Sequence, residues 1–449
     1  MKMVRSVVFL KFLVLILFVS LLASLVPMWG ASCVVGAVDQ TDVPEDAVHI
    51  QNVDQLVGIG GAQSEGKYFV LDNDLFLKDE WVPINDFRGT FDGQGYSINN
   101  LYVLARSHRS FAGLFGGINN ATIKNVGVNV SSKGLTAIST YGPASAGGLI
   151  GWNYGSNVTV VNCYVTGDIT AISTKSDSAA YSGAYAGGLI GRSLGEVFVF
   201  NCYVTGDVTA AAAPSIFAHA YAGGLVGNVV HVSVENSYTT GVITATTSGT
   251  SCAGGLVGQS NYSLDEKDNV IVKNCYATGA IVATTTFEYA YAGGLVGSSG
   301  NSVTVEKSYT TGNIKATASS GNNTCAGGLI GWKASRVIAE SCYSLATQKI
   351  TGVTINDAGK PLSLKEIKNL YSFDGWDFDN VWAIDSNINN GYPYLRNIAL
   401  HGESVFWFAA LLVMIVVLIV VGVVYVLLHK RRSDSTGLKN TNILNGLEV

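Results

Sequence analysis

An internal repeat is the feature that most constrains how this chain can fold. The string Ala-Gly-Gly-Leu-[Val/Ile]-Gly occurs six times, starting at Ala146, Ala186, Ala222, Ala253, Ala292 and Ala326. A degenerate copy starts at Ala112. A second string, typified by Asn162-Cys-Tyr-Val-Thr-Gly, follows each full copy in the same order. Repeats of this kind indicate an array in which each unit stacks on its neighbours.

Within each repeat, apolar and polar residues alternate as they do in short strands. Val158 and Val160 alternate with Asn157 and Thr159, and later repeats show the same alternation. Alternation bounded by Gly and Asn indicates strands with one buried face, and we expect about three short strands and no helix in each unit. One such unit cannot bury its apolar face alone. The sequence therefore predicts an all-β fold, a parallel β-helix (β-solenoid) of about seven coils.

Stacking in register places equivalent residues in columns, about 4.8 Å apart from coil to coil. The second residue of this string is Cys or Ser in all six copies, and we expect it to face inward, with the chain bending at the preceding Asn or, in the fifth copy, Lys307. The next residue is Tyr in all six, and by alternation it should face outward. These tyrosines form a candidate surface binding ladder: Tyr164, Tyr203, Tyr238, Tyr276, Tyr309 and Tyr343. The alternative is a structural ladder that the loops between repeats partly cover.

Six of the seven cysteines lie in the repeats, and two states are open to them. An exported protein invites disulfides. However, Cys252 and Cys325 would lie two coils apart, roughly 10 Å, beyond the reach of a disulfide. Cys163 and Cys202 lie in adjacent coils, but side chains in register point alongside each other. We favour buried free thiols.

One acidic pair is a candidate for chemistry. Asp168 and Asp207 follow Thr-Gly in neighbouring repeats and should stack about 5 Å apart. Close carboxylates can share a cation or divide acid and base roles. Later repeats carry Val242, Ala280 and Asn313 there, and no paired-His or phosphate-binding motif occurs in the sequence. We expect a solvated turn position, no catalysis, no metal and no cofactor.

The two ends of the chain predict export and a membrane anchor. Lys2, Arg5 and Lys11 precede an apolar run, and cleavage near Val38 would remove residues 1–37 as a signal peptide. An uncleaved first helix and lipidation at Cys33 are the alternatives. Residues 405–428 contain no charge and are followed by His429-Lys-Arg-Arg, which predicts one transmembrane helix with a cytoplasmic tail at 429–449.

From about Ile50 to Leu395 the chain resembles the GLUG-repeat family, whose hallmark is the Gly-Leu-Val-Gly string followed by the Asn-Cys-Tyr-x-Thr-Gly string. The resemblance implies a right-handed parallel β-helix on adhesin-like surface proteins. It also implies a short capping helix at 52–60 and a C-terminal cap after a capping box at Ser363–Glu366. Some relatives are immunoglobulin A-cleaving metallopeptidases, but this sequence has no His-Glu-x-x-His motif.

The predicted organisation has six parts. They are a signal peptide (1–37), an N-terminal cap and first coil (38–111), the repeat β-helix (112–350), a C-terminal cap and juxtamembrane segment (351–404), the transmembrane helix (405–428) and the tail (429–449).

The expected function is that of a surface module anchored in the cell membrane by a single span, with an extracellular ectodomain. A net charge of −5, with charged residues at 13%, argues against nucleic-acid binding. We expect an adhesin-like binding or structural protein, whose partners beyond the membrane would be surface glycans or other cell-surface proteins. The alternative is a carbohydrate-active β-helix enzyme, a polysaccharide lyase or hydrolase that uses the stacked carboxylates.

Overall fold

Equivalent strands of successive repeats pair side by side, which winds the chain into a parallel β-solenoid of about seven coils. The computed structural model describes residues 43–174, 183–261, 270–300, 302–319, 324–333, 336–354, 359–396 and 398. The coils build four long parallel sheets, named sheets 1 to 4 in the order in which the chain visits them.

Sheets 1 and 2 carry the valine-rich strands and the strands of the Asn-Cys-Tyr string. Sheet 1 comprises Val48–Ile50, Tyr68–Leu71, Thr90–Asp92, Thr122–Lys124, Asn157–Val161, Glu196–Phe200, His231–Glu235, Val270–Lys273, Val303–Glu306 and Val337–Glu340. Sheet 2 comprises Leu75–Phe76, Ser97–Ser107, Gly127–Ser139, Tyr164–Thr166, Ile169–Ser173, Tyr203–Val204, Val208–Ala212, Tyr238–Thr239, Ile243–Thr247, Tyr276–Ala277, Ile281–Thr285, Tyr309–Thr310, Ile314–Ala318, Tyr343–Leu345, Ile350–Thr351 and Lys360–Leu362.

Sheets 3 and 4 carry the two halves of the Ala-Gly-Gly-Leu string. Sheet 3 comprises Ser110–Ala112, Ala144–Gly147, Gly183–Gly187, His219–Gly223, Thr250–Gly254, Ala290–Gly293, Thr324–Gly327 and Val353–Thr354. Sheet 4 comprises Phe115–Ile118, Ile150–Asn153, Ile190–Ser193, Val226–Val229, Val257–Ser260, Val296–Ser299 and Ile330–Lys333.

A repeat contains five short strands, more than the three that alternation predicted. In one coil they are Glu196–Phe200, Tyr203–Val204, Val208–Ala212, His219–Gly223 and Val226–Val229. The additional strands are short and rich in Gly and Ala, so they show little contrast between apolar and polar positions. The predicted absence of helix holds for the described residues of the repeats.

The core consists of the inward-facing columns. Val158, Val197 and Val232 pair in register in sheet 1, and the leucine of each Ala-Gly-Gly-Leu string is fully buried. The apolar residue after each Thr-Gly, such as Ile169 or Ile243, is also fully buried. All of them belong to one continuous apolar cluster, so the repeats share a single core, as predicted.

The Asn of the second string bends the chain, as the sequence predicted. Asn162 and Asn274 have φ of 53° and 51°, in the left-handed region that Asn tolerates better than most residues. The amide of Asn162 donates to the side-chain oxygen of Asn125 (2.9 Å), and the amide of Asn201 donates to that of Asn162 (3.1 Å). This amide ladder ties the bends at Asn162 and Asn201 to the previous coil.

The Gly of each Thr-Gly is required by close approach between coils. A Cβ added at Gly206 would lie 1.8 Å from the carbonyl oxygen of Gly167, and one at Gly279 would lie 1.8 Å from that of Gly241. No side chain fits at that distance. The spacing of the coils therefore depends on this glycine column.

Short helical elements and one β-hairpin-like pair flank the coils. An α-helix spans Val53–Val57, and Asn52 caps it by accepting the N–H of Gln55 (3.0 Å), inside the predicted segment 52–60. Three 3-10 helices span Ala62–Ser64, Leu370–Ser372 and Asn389–Gly391, and an antiparallel pair joins Trp382–Ala383 to Tyr394–Leu395.

The predicted capping box is present, but it closes a turn. The N–H of Ser363 donates to Glu366 (2.8 Å), and the N–H of Glu366 donates to the Ser363 hydroxyl (3.3 Å). One further bond, from the N–H of Ile367 to the carbonyl oxygen of Ser363, completes a single turn, with no α-helix at these residues.

The predicted signal peptide, transmembrane helix (405–428) and tail lie outside the described residues. Among the residues that the structure does describe, no helix is long and apolar enough to span a membrane.

We predict that Gly206→Ala lowers the free energy of unfolding by about 1–3 kcal/mol or more, because the added methyl group forces two coils apart. Chemical denaturation of the full chain would measure the loss. Gly58→Ala is the matched control: Gly58 has φ of −79°, and the nearest atom to an added Cβ is 3.5 Å away. Equal stability of the two variants would contradict the role of the glycine column.

Candidate functional site

The tyrosine column faces away from the core, as alternation predicted, but it is not a surface. Tyr203, Tyr238, Tyr276, Tyr309 and Tyr343 are all buried, with Tyr276 and Tyr309 fully so. The prediction of an exposed binding ladder is therefore wrong for these five residues.

Tyr164 is the half-buried member of the column. An added Cβ at Gly127, the equivalent residue of the preceding coil, would lie 2.1 Å from the ring carbon Cζ of Tyr164. Glycine therefore replaces tyrosine at this position because the Tyr164 ring covers it.

The stack itself is regular. The ring centroids of Tyr203 and Tyr238 are 5.1 Å apart, those of Tyr238 and Tyr276 are 4.7 Å apart, and the planes are nearly parallel. Rings held at the coil spacing in this way bury a large apolar area along sheet 2.

The segment after the last coil covers one end of the column. The Trp382 ring lies 6.1 Å from the rings of Tyr276 and Tyr309, and Trp376 lies 5.8 Å from Tyr343. The Tyr309 hydroxyl donates to the carbonyl oxygen of Pro393 (2.6 Å). Burial raises the pKa of both Tyr276 and Tyr309, so these phenols stay neutral at physiological pH.

We predict that Trp382→Ala destabilises the protein by about 3–5 kcal/mol, because it removes a fully buried ring from this cluster. It should also make Tyr276 and Tyr309 reactive toward tetranitromethane. Denaturation and mass spectrometry of nitrated peptides would measure both effects. The control is Tyr371→Ala, since Tyr371 is 89% exposed. Unchanged stability and no nitration in Trp382→Ala would show that the segment does not hold the ladder closed.

The Cys/Ser column faces inward and is a hydrogen-bonding position. Cys202 donates from Sγ to the carbonyl oxygen of Phe200 (3.2 Å) and accepts the N–H of Cys163 (3.4 Å). Ser237 makes the equivalent bonds, to the carbonyl oxygen of Glu235 and from the N–H of Cys202. The alternation of Cys and Ser follows from this shared role.

The favoured state of the cysteines, free thiols, is confirmed for all six in the repeats: Cys163, Cys202, Cys252, Cys275 and Cys342 are buried, and Cys325 is half-buried. Burial raises the pKa of Cys342 to about 12, so its thiol is a poor nucleophile.

We predict that Cys202→Ser costs less stability than Cys202→Val. Serine keeps the donor and the acceptor, whereas valine leaves the buried N–H of Cys163 without a partner, at a cost of about 1–3 kcal/mol. Denaturation curves of the two variants and of the unmodified chain would measure the difference in the free energy of unfolding. A valine variant as stable as the serine variant would mean that the position needs only a small apolar side chain.

The acidic pair has a structural use. Asp168 accepts the N–H of Asp207 (3.1 Å), and Asp207 accepts the N–H of Val242 (2.7 Å). Asn313 makes the same bond to the N–H of Lys349 (2.9 Å). Each side chain thus binds the backbone of the next coil. In the described part of the chain, neither carboxylate makes an ion pair, and no three His, Cys, Asp or Glu side chains are grouped as metal ligands.

A pocket that the sequence reasoning missed lies where the outer faces of sheets 3 and 4 meet, and we call it the Trp152–Arg192 pocket. Its volume is about 450 Å³, within the usual range for small-molecule sites. Its lining includes Arg109, Pro143, Trp152, Tyr185, Arg192 and Leu194.

Register places the central residues of the pocket. Trp152 and Arg192 pair directly in neighbouring strands of sheet 4, and Tyr185 lies on the adjoining strand of sheet 3. A tight bend joins the strand of Tyr185 to the strand of Arg192. At this bend, a Cβ added at Gly187 would lie 2.0 Å from the carbonyl oxygen of Ile190. The bend brings the Arg192 guanidinium over the Tyr185 ring (4.7 Å), and it also lies over Trp152 (5.6 Å).

The pocket is cationic, and some of its hydrogen-bond donors have no acceptor in the described part of the chain. Arg192 makes no hydrogen bond or ion pair with the described residues, and the buried Nε of Arg192 and Nε1 of Trp152 have no hydrogen-bond partner. Burial and, to a lesser degree, Arg192 lower the pKa of His219, which also lines the pocket and therefore stays neutral near pH 7. Within the described ranges, no Asp or Glu is part of the lining.

A signal for this pocket was present in the sequence. The residue directly after each Ala-Gly-Gly-Leu-[Val/Ile]-Gly string varies, and the series is Trp152, Arg192, Asn228, Gln259, Ser298 and Trp332. The six residues form one outward-facing column in sheet 4. Aligning the repeats by position would have placed Arg192 beside Trp152.

A second opening lies on the outer face of sheet 1. Phe198 is 45% exposed and Ile271 is 38% exposed, and with His231 they line a shallow depression of about 400 Å³. Among the described residues, its lining contains one carboxylate, that of Glu196, and no arginine, so it lacks the cationic character of the Trp152–Arg192 pocket.

Comparisons with known proteins give no family for this chain. No family model matches the chain, and no curated protein matches it. Among solved structures, the chain is similar to a "putative immunoglobulin A1 protease" from Bacteroides ovatus, with 19% identity and a TM-score of 0.46. The alignment covers 79% of this chain and 93% of that one.

Proposed function

We propose that this protein is a membrane-anchored cell-surface module of the GLUG-repeat type, a right-handed β-solenoid with an adhesin-like binding or structural role and no catalysis. The observation that carries the proposal is the Trp152–Arg192 pocket, an open cationic site in which an arginine and a tryptophan both have donors without partners among the described residues. An extracellular ectodomain held by one span would present that rod to surface glycans or to other cell-surface proteins.

Two further observations support this role. The repeated polar side chains of the coils, such as Asn162, Cys202 and Asp207, bind neighbouring coils and so are committed to the fold. The outer faces, in contrast, carry exposed aromatic and apolar residues such as Phe198 and Leu194. Leu194 and Arg192 line the same pocket, so an exposed apolar side chain and an arginine without an anionic partner among the described residues share one surface.

The alternative, a carbohydrate-active β-helix enzyme, would use Asp168 and Asp207. It is the weaker proposal, because the carboxylate of each residue accepts a backbone N–H of the next coil. An amide oxygen does the same at Asn313. An acid or base is not required at this position for the fold, and no cationic residue pairs with either carboxylate among the described residues.

The test compares cells that express the full chain with cells that lack it, for attachment to immobilised glycans and to host-cell surfaces. Released oligosaccharides are measured in the same wells. We expect attachment without products, and Asp168→Asn should attach as the unmodified chain does, because the amide oxygen keeps the hydrogen bond to Asp207. Products that disappear in Asp168→Ala would instead favour the lyase or hydrolase, and attachment to no surface would contradict an adhesive role.

A further inference from the structure

The Trp152–Arg192 pocket has the composition of a site for an anionic ligand. Arg109 and Arg192 both line it, and its lining contains no carboxylate among the residues that the structure describes. Because the guanidinium of Arg192 has no anionic partner among the described residues, its charge is compensated only by the faces of two aromatic rings. An incoming anion would meet an uncompensated cation in a partly desolvated place.

The geometry of Arg192 favours a planar anion. The guanidinium carbon lies over the rings of Trp152 and Tyr185, at 5.6 Å and 4.7 Å from their centroids, so the two rings limit where the group can move. Its Nε is buried, whereas its terminal nitrogens are neither buried nor hydrogen-bonded within the described residues. A guanidinium whose terminal nitrogens have no partner can pair with a carboxylate through two parallel hydrogen bonds.

The rest of the lining suits a sugar ring. Trp152 is half-buried, with a T-shaped contact from Phe111 (4.6 Å) that holds its ring. Leu194 and Pro143 form an apolar part of the lining, and the Leu194 side chain is 44% exposed. Aromatic faces beside apolar carbon take the C–H face of a saccharide, and neutral His219 adds a polar group without adding charge.

We propose that the Trp152–Arg192 pocket binds a carboxylate-bearing saccharide, with Arg192 on the carboxylate, Arg109 at the rim and Trp152 under the sugar ring. This inference rests on the proposed binding function and names the ligand class at one site of the rod.

The experiment uses the purified full chain in detergent and isothermal titration calorimetry. The probes are trigalacturonic acid, a hyaluronan hexasaccharide and sialyllactose, each paired with its methyl ester, which keeps the sugar and removes the charge. We expect at least one acid to bind, and its ester to bind about tenfold more weakly or worse, because a charged hydrogen-bond pair is lost.

Variants locate the site. Arg192→Gln should weaken binding of the acid by about tenfold or more while leaving the weak binding of the ester unchanged. Arg192→Lys keeps the charge but not the planar edge. It should bind the acid more weakly than the unmodified chain and more tightly than Arg192→Gln. Trp152→Leu should weaken acid and ester alike. Arg336→Gln is the matched control, an exposed arginine on another face, and should bind as the unmodified chain does. Circular dichroism melting confirms that each variant is folded.

Four outcomes would overturn the inference. They are no binding of any of the three acids, equal binding of acids and esters, equal binding by Arg192→Gln, and tight binding of poly-glutamate with no binding of the acidic sugars, which would point to a peptide ligand. If cells that express the chain still attach to surfaces in the first case, only the ligand class is wrong. If attachment also fails, the proposed function fails with it.

Discussion

The in-register pairing of identical repeat positions is the constraint on which the rest of this structure depends. Parallel strands from successive coils bring like residues together at the coil spacing, so every residue must tolerate a copy of itself directly above and below. Asn does so through an amide ladder, Cys and Ser through bonds to the neighbouring backbone, and Tyr through ring stacking. Gly does so because no side chain is present to collide. Each recurring position of the repeat motif is therefore occupied by a residue type that can lie directly against a copy of itself in the next coil.

That constraint explains which parts of the fold the sequence could predict. The bend at Asn162, the inward Cys column and the burial of Ile169 each follow from a pattern repeated six times within short stretches of chain. The strand number was underestimated because strands such as Ala144–Gly147 consist only of Ala, Ser and Gly. Side chains of that size give no contrast between an inner and an outer face.

The error over the tyrosine ladder has a different physical origin. Alternation correctly gives the side of the sheet on which a side chain lies, but it does not say what else packs there. Trp382 covers Tyr276 from more than a hundred positions further along the chain, and Pro393 accepts the Tyr309 hydroxyl. These contacts are made by a segment outside the repeats, so no periodicity could reveal them. The same segment also carries Phe373 and Trp376, which pack against Tyr343 and Tyr309. The tyrosine ladder that they cover explains why aromatic residues are concentrated in this segment.

A repeat that must stack on itself has little freedom in its core, and variation collects where side chains point outward. In the column after the Gly-Leu-[Val/Ile]-Gly string, such variation decides whether neighbouring side chains satisfy each other's hydrogen bonds or leave donors without partners. Asn228 hydrogen-bonds to Gln259 and Asn261, so these amides satisfy one another. One coil earlier, Arg192 and Trp152 have no such exchange, since a guanidinium and an indole are both donors only. Two donors side by side cannot pair with each other, and the described residues offer neither of them an acceptor. The chemistry of this single column thus supports the proposed binding site at the Trp152–Arg192 step, where donors lie beside donors, and not at the Asn228–Gln259 step, where the amides pair.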